Sequence, residues 1–267
     1  MSPIPSPPVD LPLNGTGQWV LTLVTTGAAV VFVLLTVREC RRRGSAAPGL
    51  LLGSGALCLF LEPVYDDQFH IWFHDQGHMW RTYTAYGMPQ PVWVPITYAW
   101  CYGGLALLVW RRLADGGGRA EVLRTAGGLL AVFTGFELIG INLGVYTYYG
   151  AHPLRLLGLP LWVEVPNTVV TVVAGVAFAR LEPLIGGLGR LSLLAVVPSA
   201  FAMVSFGSTF PTLVTISRAD PPPALVYLAT AVSFALAAAM LHLALQAVPA
   251  RAGVDQRWGS RPSSART

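Results

Sequence analysis

The chain has 267 residues, of which 54% are hydrophobic and only 11% charged, with a formal net charge of +4 at pH 7; these proportions exclude an ordinary soluble domain. All 17 basic residues are arginine, which excludes mechanisms built on a lysine Schiff base, retinal photoreceptors among them, and any P-loop lysine. Cys40, Cys58 and Cys101 lack metal-ligand spacing, so free thiols are expected and no disulfide framework.

Seven apolar runs are each about long enough to span a bilayer, which takes roughly 20 helical residues. The expected fold is an all-α integral membrane protein, a bundle of seven transmembrane helices in the cell membrane. A Pro-rich N-terminal tail, residues 1–17, lacks the basic n-region of a cleaved signal peptide. The transmembrane domain, residues 18–250, begins with a span at 19–37 that is closed by Arg38 and the Arg41, Arg42, Arg43 cluster. The second span, 48–66, should kink at Pro63 near its end. An aromatic loop, residues 67–90, follows. The third span, 91–110, runs into Arg111 and Arg112, and Gly116-Gly117-Gly118 marks a short turn. Spans at 122–141, 161–179, 191–210 and 224–248 complete the set. The Arg-rich tail, 251–267, is expected to be disordered. Glu62-Pro63 and Glu182-Pro183 echo each other, without a wider repeat.

Arginine placement predicts the orientation. The N-terminal tail and the loops after spans two, four and six hold only Arg81, Arg155 and Arg218; the remaining arginines lie in or beside the alternate loops and the C-terminal tail. By the positive-inside rule the N-terminus is outside and the C-terminus cytoplasmic. The positive charge therefore reads as topology, and no nucleic acid partner is expected.

The stretch 61–80 concentrates titratable groups in an otherwise apolar chain. Glu62 and Asp66 are four apart and share a helix face. With the orientation set, Glu62, Glu137 and Glu164 fall at one depth on three separate spans, with Asn142 and Asn167 close to the same level. A charged side chain in hydrocarbon costs about 2.5 kcal/mol or more, so such groups usually face the bundle interior. Several carboxyls in one apolar pocket can divide into a general acid and a general base. Trp72, Trp80, Tyr83, Trp93, Tyr146, Tyr148 and Trp162 are candidate walls for an oily substrate, since π-faces also stabilise developing positive charge; singly, each also fits an interfacial aromatic belt.

A metal alternative rests on His70, His74 and His78, spaced by four, with Asp66, Asp67 and Asp75. Membrane di-iron hydroxylases need several histidine boxes, and only His152 and His242 remain. Gly77 also interrupts a helix before His78. No metal, nucleotide or redox cofactor is expected.

Two stretches resemble the AveC-like spirocyclase family of actinobacterial membrane proteins. The first is Glu62-Pro-Val-Tyr-Asp66 with the Trp72 to Trp80 loop and the helix start at Pro91-Val-Trp93. The second runs from Glu137 through Gly144-Val-Tyr-Thr-Tyr-Tyr-Gly-Ala151 to Pro160-Leu-Trp-Val-Glu164, where Val163 separates the aromatic residue from the acid. The resemblance implies that Glu62, Asp66, Glu137 and Glu164 are the functional set and that the reaction is ring closure on a hydrophobic natural product, such as spiroketal formation on a polyketide. Membrane terpene cyclases are similar in architecture and chemistry alone. The alternative of a different class is a non-enzymatic membrane carrier or assembly partner, for which paired broken helices and inverted repeats would be the mark.

Overall fold

The computed structural model describes residues 5–218 and 220–250. The expectation for the tail 251–267 lies outside them. Helix α1 (Gly15–Arg43) starts behind Asn14, whose side chain accepts the Gly17 N–H, and stops at Gly44, where φ is +59°; a left-handed C-cap suits glycine because it has no Cβ to clash. Helix α2 (Ala47–Ala56) passes through a 3₁₀ turn, Leu57–Phe60, into α3 (Glu62–Gln68), with a bend of 51° between them. The kink expected at Pro63 is therefore present. Proline has no N–H to give the preceding turn, and its ring crowds the carbonyl four residues back.

Helices α4 (Trp93–Tyr98) and α5 (Leu105–Ala114) are one span joined by a π-helical stretch, Ala99–Gly104. Next come α6 (Arg119–Asn142) and α7 (Glu164–Leu181), the latter led in by the 3₁₀ turn Leu161–Val163. A 3₁₀ segment, Gly187–Ala195, then α8 (Val196–Phe201), a second π stretch, Ala202–Ser208, and α9 (Phe210–Ile216) follow, and α10 (Pro223–Gln246) closes the described chain. Among the described residues six helices are long and apolar enough to cross a membrane, or seven if the bent pair counts as one span. The chain is thus a mostly helical, multi-pass membrane architecture.

The α4–α5 span and α7 are mostly buried, whereas α1, α6 and α10 turn most of their apolar windows outward. Outward faces carrying Leu23, Leu34, Leu130 and Leu228 suit a hydrocarbon solvent, which offers no hydrogen-bond partner, while the helix satisfies its own backbone groups internally. Small residues let the central helices meet. A Cβ on Gly175 would lie 2.7 Å from Val109 Cβ and 2.8 Å from the Ala106 carbonyl oxygen; one on Gly55 would lie 2.1 Å from Gly103 N. Close backbone approach of this kind is the membrane counterpart of core packing.

The aromatic loop after α3 is folded. It contains β1 (Ile71–Phe73), β2 (Arg81–Ala85) and β3 (Met88–Pro91), and β2 and β3 form a hairpin around Tyr86 and Gly87, both at positive φ, as a two-residue I′ turn requires. After α6, β4 (Tyr146–Tyr148) pairs antiparallel with β1, placing Ile71 opposite Tyr148 and Phe73 opposite Tyr146. A last small hairpin joins β5 (Arg155–Leu156) to β6 (Leu159–Pro160). The regular spacing of the histidines does not become a helix face, because α3 ends at Gln68, His70 sits at φ +51° and His74 follows a strand. Among the described residues no three His, Cys, Asp or Glu side chains are grouped to hold a metal ion.

Candidate functional site

Glu62 stands at the bend, on the first turn of α3, and is buried. The Tyr98 hydroxyl on α4 donates to its Oε2. Glu137, on α6, accepts from the Tyr148 hydroxyl at 3.1 Å, while the Tyr146 hydroxyl approaches the Glu137 backbone carbonyl at 3.4 Å. The β1–β4 ladder makes this meeting possible, since it ties the segment after α3 to the segment after α6. Glu62 and Glu137 line one cavity of about 60 Å³. Its walls are aromatic, with Trp93, Tyr102, Phe133 and Tyr146 among them. It accommodates a few waters, each needing roughly 10–15 Å³.

Asn167 also lines the cavity, and its Oδ1 accepts two phenols, Tyr65 at 3.2 Å and Tyr102 at 2.8 Å. Trp93 and Tyr146 are where the sequence places them, in the wall. Tyr148 reaches the site through its bond to Glu137. Asp66 is fully buried one turn along α3 from Glu62 and does not line the cavity; Gln90 Nε2 donates to its Oδ2 at 2.7 Å, and among the described residues its Oδ1 has no hydrogen-bond partner. Glu164 is buried one turn before Asn167, and among the described residues its carboxyl oxygens have no hydrogen-bond partner. Two of the four expected carboxyls therefore face the cavity and two stand immediately behind its wall.

Five expected wall residues lie elsewhere. Trp72 points away because side chains alternate along a strand: Ile71 and Phe73 turn to the cavity, and Trp72 lines a separate outer pocket beside His70 and Tyr149. Trp80 packs edge-to-face on Trp19, with ring centroids 4.2 Å apart. Trp162 is stacked between Phe69 and His152. Tyr83 donates to the Leu59 carbonyl at 3.1 Å, above the bend; burial pushes its phenol up to about 12, with the Glu62 and Asp66 charges adding to the rise. Asn142 is exposed and donates to the carbonyls of Leu138 and Leu157. Five residues beyond Glu137 is about 140° around a helix, which turns Asn142 from the face that holds the acid.

The sequence reading passed over Tyr98, Tyr65, Tyr102 and Gln90. Tyr98 and Tyr102 had a signal, since a spacing of four puts two phenols on one face of the span that also carries Trp93. The π stretch between α4 and α5 shifts that register locally, and such insertions recur at functional sites. Gln90 had none, because its role depends on the β2–β3 hairpin folding back over α3.

The arrangement is an aromatic chamber with two carboxyls from different helices, each receiving a tyrosine hydroxyl and, among the described residues, neither paired with a cation. It can give a proton to a bound molecule and take one from it. No protein-family model, no curated protein sequence and no solved structure matches this chain.

Proposed function

We propose that the chain is a membrane-embedded cyclase that closes a ring on a hydrophobic natural-product substrate by carboxyl acid–base catalysis, as its resemblance to the AveC-like spirocyclases implies. The observation that carries this reading is Glu62 and Glu137 facing one aromatic chamber from separate helices, each on a phenol donor. Glu62 is the proton donor and Glu137 the acceptor. On a dihydroxyketone, Glu62 protonates the carbonyl oxygen while Glu137 takes the proton of the attacking hydroxyl. Glu137 then gives that proton to the hemiketal oxygen, which leaves as water, while the second hydroxyl attacks the same carbon and gives its proton to Glu62. A spiroketal results and both carboxyls return to their starting states, with Asp66 one turn behind Glu62. On an epoxide or alkene the first proton transfer alone starts ring closure, and the aromatic walls stabilise the cation.

The chamber holds a few waters and no large substrate, so binding requires its walls to part. The π stretches Ala99–Gly104 and Ala202–Ser208 are the places where a helix can change register at low cost. The bent pair is taken as one span, giving seven, with the N-terminus outside and the C-terminus cytoplasmic on the strength of the arginine distribution. The site then opens near the outer side.

The test is to incubate membranes carrying the full chain with a linear dihydroxyketone and with an epoxy-isoprenoid, and to follow ring products by mass spectrometry. Glu62→Gln keeps the shape and cannot deliver a proton, so turnover should fall by a factor on the order of 10² or more at unchanged protein abundance. A Glu62→Gln protein as active as the wild type removes the mechanism.

A further inference from the structure

A second and larger cavity, of about 540 Å³, opens at the opposite end of the bundle, where the arginine-bearing ends of α1, α5 and α7 meet the turn after α7. This is within the range of roughly 300–1,000 Å³ typical of small-molecule sites. Arg43 lines it and is already committed. Its guanidinium donates to Glu39 at 3.1 Å and to Asp115 at 2.6 Å, and it lies 4.8 Å over the Trp110 ring. The other two charged groups in the wall are different. Among the described residues, the Glu182 carboxylate has no hydrogen-bond or ion-pair partner, and Arg190 uses only Nε, on the Ile185 carbonyl at 3.2 Å. Among the described residues, one cavity thus presents an anion and a cation that have no ion-pair partner and do not pair with each other.

The segment that carries them is also the most exposed apolar turn of the molecule: Leu184 is 78% exposed, Leu188 88% and Leu191 59%. In water such a turn is unfavourable; at a membrane surface it sits among acyl chains, with the charged cavity at headgroup level. We infer that this cavity binds the headgroup of a zwitterionic phospholipid bearing a primary amine, as phosphatidylethanolamine does, with the phosphate on Arg190 and the ammonium on Glu182. Guanidinium forks match phosphate oxygens, and a carboxylate accepts ammonium N–H donors. Arg43 already occupies a face of Trp110, so that face is not open to a quaternary ammonium.

Purified full-length protein is equilibrated with an equimolar mixture of phosphatidylethanolamine, phosphatidylcholine and phosphatidylglycerol in detergent, and retained lipid is counted by native mass spectrometry. Phosphatidylethanolamine should be retained about tenfold over the others, the scale of one charge-assisted hydrogen bond. Arg190→Gln should lower retention of all three by about tenfold, and Arg190→Lys should keep it. Glu182→Gln should abolish only the preference for the primary amine. Free O-phosphoethanolamine at the lipid concentration should displace nothing, because the leucines contribute to holding a lipid; displacement would identify a soluble metabolite and overturn the lipid assignment. Equal retention of the three lipids, or wild-type behaviour of both glutamine variants, overturns the site itself.

Discussion

Gly55→Ala tests the packing that sets Glu62 against Tyr98. Gly55 lies on α2, just before the bend that carries Glu62, and Gly103 lies in the π stretch just after Tyr98. The added Cβ would stand 2.1 Å from Gly103 N and 2.3 Å from Gly103 Cα. Backbone cannot rotate aside as a side chain can, so reaching the 3.4 Å of ordinary contact separates the two segments by about 1.3 Å. A gap of 0.5–1 Å already forfeits roughly a quarter to a half of each dispersion contact along the seam, and overpacking of this kind costs about 3 kcal/mol. For a chain of this size that lowers the melting temperature by about 6–12 °C. The assay is thermal unfolding in detergent followed by intrinsic tryptophan fluorescence. Gly53→Ala, two residues earlier, is the control: its Cβ meets only Leu194 Cδ2 at 3.4 Å, and alanine favours the helix by up to about 1 kcal/mol, so it should melt at or above the wild-type temperature. If Gly55→Ala melts with the wild type, the close approach of these backbones is not what holds the site together.

Tyr148→Phe removes the phenol that donates to the half-buried Glu137 at 3.1 Å and should destabilise by about 1 kcal/mol, the net worth of one hydrogen bond; Tyr146→Phe, whose contact is 3.4 Å, should cost less, and equal melting shifts would contradict the assignment. Stability should decline as pH falls below the ordinary histidine value of 6.5, because burial first, then the Arg155 and His70 charges, hold His152 well below it. The unfolded chain takes up that proton before the folded one does, so the contribution is complete above pH 6.5 and is lost on acidification; His152→Asn should flatten the acid limb of a melting-temperature profile, and an unchanged limb refutes the linkage. With Cys40, Cys58 and Cys101 replaced by alanine, a cysteine at Thr82 should react with an impermeant maleimide from outside intact cells and one at Ala120 only after permeabilisation; the reverse pattern inverts the proposed topology.

The spans were readable because hydrocarbon imposes a single strong rule, long apolar helices, and the bend at Pro63 followed from a missing N–H. Glu62 and Glu137 were readable for the same reason, since a carboxyl in such a helix stands out by its cost. The walls were not. Trp72, Trp80 and Trp162 are chemically suitable, but their directions are fixed by strand alternation, by the Trp19 contact and by stacking on Phe69 and His152, none of which has a local signature. The histidine spacing of four makes no helix face, because a left-handed turn at His70 and the β1 strand take over those residues. Tyr98 and Tyr102 show the converse case: aromatic residues at helical spacing, easily assigned to an interfacial belt, became hydrogen-bond donors to Glu62 and Asn167.

The pairing of β1 with β4 also sets a schedule for biogenesis. Ile71 waits for Tyr148, and the 77 residues added after it, Tyr148 included, take roughly 4–15 s to synthesise at about 5–20 residues per second. Through that interval the β1 edge has no partner and the wall facing Glu62 does not exist. The pocket is therefore a late product of membrane insertion, unfinished until α6 is in place, its exit loop has folded back and α7 has brought Asn167 to the lining. A nascent chain stalled before Tyr146 carries Glu62, Asp66 and Glu137 without the strand that closes over them, and its β1 edge stays open to any other strand it meets.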